Sequence, residues 1–587
     1  MRRSVMHRVV LSALVVVLLA TTSVGVAAAV DGTDPAEPTD PADPAEPDAQ
    51  VEPIVHQVDG TLRFVVDDPA VLRFAGRHFY DTLELASPTL LVNELSMDDY
   101  IAGIAEMPTR WPMEALKAQA VAARTYAWRS MRRGSWPGYD ICATVACQVF
   151  NGADVVIDRP TGSRWRQAVD ETAGQVLVDG EGEPILARYF STSGGRTYAN
   201  EDVFPGDGTF DYLQRIEDPY DETSPLHRWT VIFTREQFDE LLSRGDTLSA
   251  VSPMVAVERV GEPDDPNGEV RVTGANGRTV DVGATAFRRF VSQVAASLFP
   301  DEHPGATDDG EGTLPTALPS SRYDFEVTDD AVTIAGQGWG HGVGMGQFGA
   351  MGRAESGHDH LEILAAYYGG LEPVVPANLP DRIRVGMSTS VPAELSATHR
   401  FAIHVDGDVL VGDALGTWDV EREDDGWRLT APEGHGQPLQ LSPTVAAPGV
   451  PAMRDAATVQ VEVNKPVVLT LTVMTADGDP VASREIGVVE AGVHAHTWRF
   501  DRPDGGPVDA GTYLVVLEGE DHTGEVAGTP LAVEVPEPPP PPPPPPLASE
   551  DGPATGVVQP SAFGWALVAG AIGLVLLLGS LLWRRRR

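Results

Sequence analysis

The chain has 587 residues, of which 85 are acidic and 42 basic, giving a formal net charge of −43. Length alone predicts three or four domains rather than one. So negative a surface leaves no basic face to meet phosphates, which excludes nucleic acid as a partner.

Residues 1–29 read as a secretory signal, with Met1-Arg2-Arg3 as the positive start, 9–20 as the apolar core and Ala27-Ala28-Ala29 as a small-residue cleavage site. Retention of that segment as an N-terminal anchor is the competing reading. Residues 30–53 repeat Asp, Glu, Pro and Ala. They cannot bury apolar surface and are expected to form a disordered linker. From residue 54 the pattern turns strand-like, with 61–66 and 89–95 as strand candidates.

A helix arriving from Ser96-Met97-Asp98-Asp99-Tyr100 should stop near Glu106, because Pro108 pushes Met107 out of the helical region. Pro112 then suits the first turn of a new helix. Glu106 is therefore expected in a turn pinned between two helices. The second helix carries Met113, Lys117, Ala120, Arg124, Trp128 and Met131 on one stripe. Alanines 115, 118, 122, 123 and 127 fill its other sides, which predicts a helix packed centrally against several neighbours. Lys117 is one of only two lysines in the chain, the other being Lys465. It reads either as a functional cation or as a lysine snorkelling from an apolar stripe.

The two cysteines, Cys142 and Cys147, are the only ones present. In an exported protein so close a pair suits a disulfide, whereas zinc needs two further ligands that the neighbouring sequence does not offer. Residues 164–173 read as a helix, with 175–177 and 185–190 as strands. Tyr189-Phe190-Ser191-Thr192-Ser193-Gly194-Gly195 follows, but Ser193 lacks the G-x-S-x-G elbow of a serine nucleophile. Hydroxyls that hydrogen-bond a sugar are the better reading. Segments 269–273 and 278–282 flank Ala275-Asn276-Gly277 as a hairpin, 285–298 reads as a helix and 303–320 as a loop.

A strand at 331–335 leads into a loop with Gly336, 338, 340, 342, 344, 346 and 349 around Trp339 and His341. Its G-x-G-x-x-G has the outline of a dinucleotide site, but an exported chain meets little nucleotide and two aromatic rings crowd the loop. Two readings stay open, a close backbone approach to an extended ligand and a tight structural crossover. A helical stretch to Tyr368 follows, in which His358 and His360 are two apart and do not face together, and 381–385 reads as a closing strand.

Residues 386–450 are β-leaning around Trp418 and Trp427, and 451–535 alternate short apolar runs with turns, as a β-sandwich does. A proline run occupies much of the linker 536–561. Residues 562–583 are apolar over about the ~20 residues that span a bilayer. Arginines 584–587 follow, which predicts a cytoplasmic C-terminus with the body outside.

Glu106-Met107-Pro108, with Glu114-Ala-Leu-Lys-Ala-Gln-Ala-Val-Ala-Ala-Arg-Thr-Tyr126, resembles the signature of the stage II sporulation protein D family, which includes the amidase enhancer LytB. The stretches 147–152, 190–195 and 338–349 match that family's later blocks in order, so the resemblance covers roughly 80–385. It implies an α+β catalytic domain at 54–385 that cleaves peptidoglycan glycan strands as a lytic transglycosylase, with Glu106 as acid. It also implies binding or catalytic roles for Lys117, Tyr189 and Ser193. Arg124 and His341 complete the expected substrate-binding set. Zinc-binding relatives interleave histidines with the cysteines, whereas Ala143, Thr144, Val145 and Ala146 stand here, so no metal and no cofactor are expected. The module 451–535 resembles, more loosely, the immunoglobulin-like domain of flagellar hook-capping proteins. The alternative reading is a non-catalytic peptidoglycan-binding protein that stimulates a cell-wall amidase.

Overall fold

The computed structural model describes residues 53–263, 265–303, 317–445 and 456–537. The expected signal segment, nearly all of the acidic linker, the proline run and the apolar segment 562–583 with its arginine tail lie outside them. Among the described residues no helix is long and apolar enough to cross a membrane.

The protein is a mixed α+β structure. Seven strands lie side by side in the order Asp408–Ala414, Phe401–Val405, Leu62–Val65, Thr82–Ser87, Leu90–Ser96, Arg382–Ser388 and Ile141–Cys142. Six more run Val55–Val58, Gly426–Thr430, Trp418–Glu423, Ala393–Ala397, Val71–Phe74 and Arg77–Tyr80. Alternating side chains of both sheets, such as Leu62 and Phe64, Leu83 and Leu85, Trp418 and Val420, fill one shared core. The expected boundary between 385 and 386 falls inside strand Arg382–Ser388. That strand pairs residue by residue with Leu90–Ser96, from Arg382 opposite Ser96 to Ser388 opposite Leu90. Residues up to Thr430 therefore complete sheets begun at Val55, rather than forming a separate segment. Alternation in sequence reveals the inward face of a strand but not a partner so far along the chain.

The segment that bears the site leaves this β layer at Ser96 and, apart from the short strand Ile141–Cys142, returns at Arg382. Helix Met97–Ala102 starts on Ser96, whose hydroxyl accepts from the Asp99 N–H, and ends at Gly103. The alanine-rich helix Met113–Arg133 is then wedged between two cores. Ala115, Leu116, Ala120, Ala123 and Ala127 face the β layer. Ala118, Val121 and Ala122 face a second core with Leu177, Ile185, Val343, Met345, Ile363 and Leu364. Side chains this small on all sides let neighbours approach the helix from every direction, which accounts for a pattern with no solvated face. Gly134, at φ 58, closes the helix by donating to the carbonyls of Ser130 and Met131.

A further excursion is nested inside the first. Tyr189–Phe190 and Met345–Gly346 pair in parallel. Most of the chain between them folds around its own core of two three-stranded sheets and the helices Arg235–Ser243 and Ala284–Leu298. The expected single helical stretch to Tyr368 is two helices, Gln347–Glu355 and His360–Tyr367, separated at Gly357 (φ 93) and restarted by an Asp359–Glu362 capping box.

At the far end a three-stranded sheet (Leu441–Val445, Ala457–Val463, Gly492–Trp498) and a four-stranded one (Pro480–Val489, Val467–Thr475, Gly511–Glu520, Val526–Val535) close over a single core. Leu441–Val445 belongs to this sandwich, so the expected start at 451 is several residues late. Lys465 lies inside it, its ammonium 2.7 Å from the Asp521 carboxylate and 2.6 Å from the Gln437 carbonyl.

Candidate active site

Glu106 sits four residues beyond the end of helix Met97–Ala102 and before Pro108, on the corner between the two helices. Its backbone is fixed from both sides. The Ala105 N–H donates to the Val149 carbonyl at 2.9 Å. The Gln347 amide donates to the Glu106 carbonyl at 3.1 Å and meets Gln119 Oε1 at 3.4 Å. The carboxylate itself takes two donors. Val149 N–H reaches Oε1 at 3.0 Å, and the Tyr189 hydroxyl makes a short bond to Oε2. Met107, next in the chain, and Trp111 are buried, and Trp111 meets Phe348 edge-on at 4.8 Å.

Apolar surroundings penalise the charged form more than two donors relieve it. Burial raises the Glu106 carboxyl from 4.5 to about 7, against the opposing bonds from Tyr189 and Val149. Burial and these two donors set its titration. The residue as a whole is half-buried. Behind Tyr189 stands Gln148, whose amide donates to the phenol oxygen at 2.9 Å and to the Ala123 carbonyl at 3.3 Å, while its Oε1 accepts from Tyr100 at 2.7 Å. Tyr100, Tyr126 and Tyr189 all have their phenols pushed up by burial, with Glu106 among the further contributors, so all three are neutral at physiological pH.

Of the residues expected in the site, Glu106 and Tyr189 are brought into contact and the others are not. Lys117 lies in a separate ion cluster, 2.7 Å from Glu171 and 3.0 Å from Glu114, whose other oxygen holds His360. Arg124, expected to bind substrate, is not exposed to one. It is fully buried and bonds Asp98 at 2.8 Å and the carbonyls of Thr172 and Gln175, so it clamps helices together and cannot touch a substrate. Ser193 is likewise buried, donating to Asp221 at 2.8 Å and accepting from Gly195 N–H at 3.1 Å, which makes it the pivot of a turn. His341 packs between the rings of Phe190 and Phe204, and its Nδ1 accepts from Val343 N–H. Burial, with Arg188 nearby, pushes it down to about 3, so it stays neutral at physiological pH.

The glycine-rich loop is a structural crossover. Thr192 and Trp339 exchange backbone hydrogen bonds at 3.0 and 2.8 Å. Gly338, Gly340, Gly342 and Gly344 all have positive φ, and a Cβ at Gly344 would overlap the Arg188 carbonyl. The close approach seen is to the chain's own segment 188–198.

Cys142 and Cys147 are joined in a disulfide with Cα atoms 5.6 Å apart, closing a loop directly ahead of Gln148 and Val149. Among the described residues one group of metal-type ligands occurs, His78, Asp154 and Asp158. Both His78 Nδ1 and its backbone N–H already engage Asp154 Oδ1.

Gln148, Val149 and Gln347 were not legible as site residues. The available signal was an uncharged amide set in otherwise apolar or glycine-rich surroundings, as in Cys147-Gln148-Val149-Phe150.

These features define an α+β protein with a largely buried carboxylate on a rigid inter-helix corner. The stage II sporulation protein family model matches residues 86–178, which include that corner, the alanine-rich helix and the disulfide loop. An uncharacterised protein of Brachyspira hyodysenteriae is 31% identical over 291 residues, covering 49% of this chain and 68% of the relative. Stage II sporulation protein D of Bacillus subtilis is 28% identical over 295 residues, with 48% and 75% covered. The amidase enhancer of Bacillus subtilis is 28% identical over 289 residues, but only 38% of its length is matched. The chain belongs to the stage II sporulation protein D family.

Proposed function

We propose that the protein is a lytic transglycosylase that cleaves peptidoglycan glycan strands with Glu106 as its only acid/base. The observation that carries this reading is the Glu106 carboxyl, set on the inter-helix corner, held by the Val149 N–H at 3.0 Å and the Tyr189 hydroxyl, and raised to about 7 by burial. Glycosidases that use water need two carboxylates, one as acid and one as base or nucleophile. A transglycosylase manages with one, because the attacking hydroxyl belongs to the substrate. Glu106 gives its proton to the glycosidic oxygen as the C1–O bond breaks. The C6 hydroxyl of the same muramic acid closes on C1 and returns a proton to Glu106, leaving a 1,6-anhydro ring and consuming no water. A pKa near the working pH suits both halves of that cycle. Tyr189 and Val149 stabilise the carboxylate that exists between them.

The test is to incubate the full chain and its Glu106→Gln variant with purified glycan strands stripped of peptides, and to analyse the products by mass spectrometry. Loss of anhydro ends by at least about 100-fold in the variant is expected. Undiminished release would sink the assignment. The likeness to a protein named amidase enhancer favours a second reading, in which the chain binds peptidoglycan and stimulates a cell-wall amidase without cutting. That reading predicts binding with no anhydro products from either protein.

We further propose that the body faces the cell wall from a membrane anchor. The signal-like start and the apolar segment 562–583 with its terminal arginines support this. Protease added to spheroplasts should then digest the body; full protection would contradict it.

A further inference from the structure

The hydrogen bonds behind Glu106 have a fixed direction. The Ala123 carbonyl can only accept, so the Gln148 group 3.3 Å from it is the amide nitrogen. The same NH2 lies 2.9 Å from the Tyr189 oxygen and donates to it. Gln148 Oε1 is left to accept from the Tyr100 hydroxyl at 2.7 Å. Gln148 is fully buried, so no water competes for these positions. With its oxygen already receiving an N–H, Tyr189 has its own hydrogen aimed at Glu106 Oε2.

We propose that Gln148 is a positioning residue: by donating to Tyr189 it forces the phenol to donate to Glu106, and so keeps the acid's own proton off the phenol and available to the substrate. Without Gln148 the phenol is free to turn and accept the proton from Glu106, which stabilises the protonated acid and diverts its proton into the protein. The titratable groups within reach are Tyr100, Tyr126 and Tyr189, on three different elements, all held neutral by burial, with Arg188 the strongest charge on Tyr126. Among the described residues none of them supplies an alternative donor to Tyr189. The availability of the proton to substrate rests on the proposed transglycosylase reading, whereas the direction of the relay does not.

Two readouts keep those claims apart. The carboxyl infrared band of Glu106, isolated by difference against Glu106→Gln, reports its titration whether or not the protein turns over. The pH profile for anhydro-product formation reports the chemistry. In Gln148→Met the infrared midpoint should rise by about one unit, the equivalent of one neutral hydrogen bond. The alkaline limb of the rate should rise with it, while the rate below the limb falls about tenfold, a part of what a positioned acid contributes. In a Tyr189→Phe background the same substitution should give no further infrared shift, because Gln148 acts only through the phenol. Gln148→Asn, which keeps an amide but is one methylene shorter, should move the midpoint the same way by less, and serves if methionine unfolds the protein. An unmoved midpoint, or an equal shift with and without the Tyr189 hydroxyl, overturns the proposal. A shifted midpoint in a protein that makes no anhydro product upholds the relay and overturns the enzyme.

Discussion

Tyr189 and Glu106, 83 residues apart in sequence, meet hydroxyl to carboxylate, and the other carboxylate oxygen is held by Val149 N–H at 3.0 Å. The two donors come from separate elements, the short strand Tyr189–Phe190 and the segment that follows the disulfide. They counter the burial that raises Glu106 to about 7 without cancelling it. The result is an acid that holds its proton near neutral pH and a carboxylate already solvated when it loses it.

That arrangement has a stability consequence. Between pH 4.5 and about 7 the folded protein keeps a proton on Glu106 that the unfolded chain has released. The unfolded state then binds fewer protons, so stability falls as pH rises through this window. Glu106→Gln has no such titration and should gain on the wild type across it, ending about 1–3 kcal/mol more stable on the alkaline side. Denaturant melts of both proteins across the window check this, and parallel curves would contradict it.

The Cys142–Cys147 disulfide, with a sequence separation of 5, should contribute about 2 kcal/mol by restricting the unfolded chain. Because Val149 lies two residues past Cys147, the double alanine variant should also loosen one of the two donors to Glu106 and raise its titration further. Urea melts with and without reductant, together with the infrared midpoint, read both effects. Insensitivity of both to reductant would contradict this role.

Arg124→Met removes a buried cation whose Nη2 lies 2.8 Å from the Asp98 carboxylate, a group that is itself partly exposed. A loss of about 3 kcal/mol is expected. Activity per folded molecule should be roughly unchanged, since the guanidinium faces helix ends and not the site. A large rise in KM with intact stability would restore it as a substrate contact.

Gly344→Ala places a Cβ against the Arg188 carbonyl at a φ of 78 that disfavours any side chain. It should destabilise the fold by about 2 kcal/mol or more. Thermal melting checks this, and an unchanged Tm would show that the crossover can relax.

Much of the site was legible because its signals are local. Pro108 and Pro112 fixed the corner at Glu106, and alanines on every side of Met113–Arg133 announced a helix between cores. The close cysteine pair pointed to the disulfide. What escaped the sequence was long-range pairing and the direction of side chains. Nothing near Leu90–Ser96 shows that its partner is Arg382–Ser388, because the two strands alternate as any others do. Arg124 on an apolar stripe looks the same whether it meets a ligand or the carbonyls of Thr172 and Gln175. Gln148 lacked any charge or spacing to mark it. Its role exists only once Tyr100, Ala123 and Tyr189 surround it.

In the proposed reaction Glu106 works alone because the substrate supplies its own nucleophile. Cleavage of purified glycan strands by the full chain in water enriched in oxygen-18 tests it most directly. The expected products are 1,6-anhydro ends with no heavy oxygen in the new termini. Reducing ends labelled with oxygen-18 would mean that water attacks and a second catalytic group exists, and would contradict it.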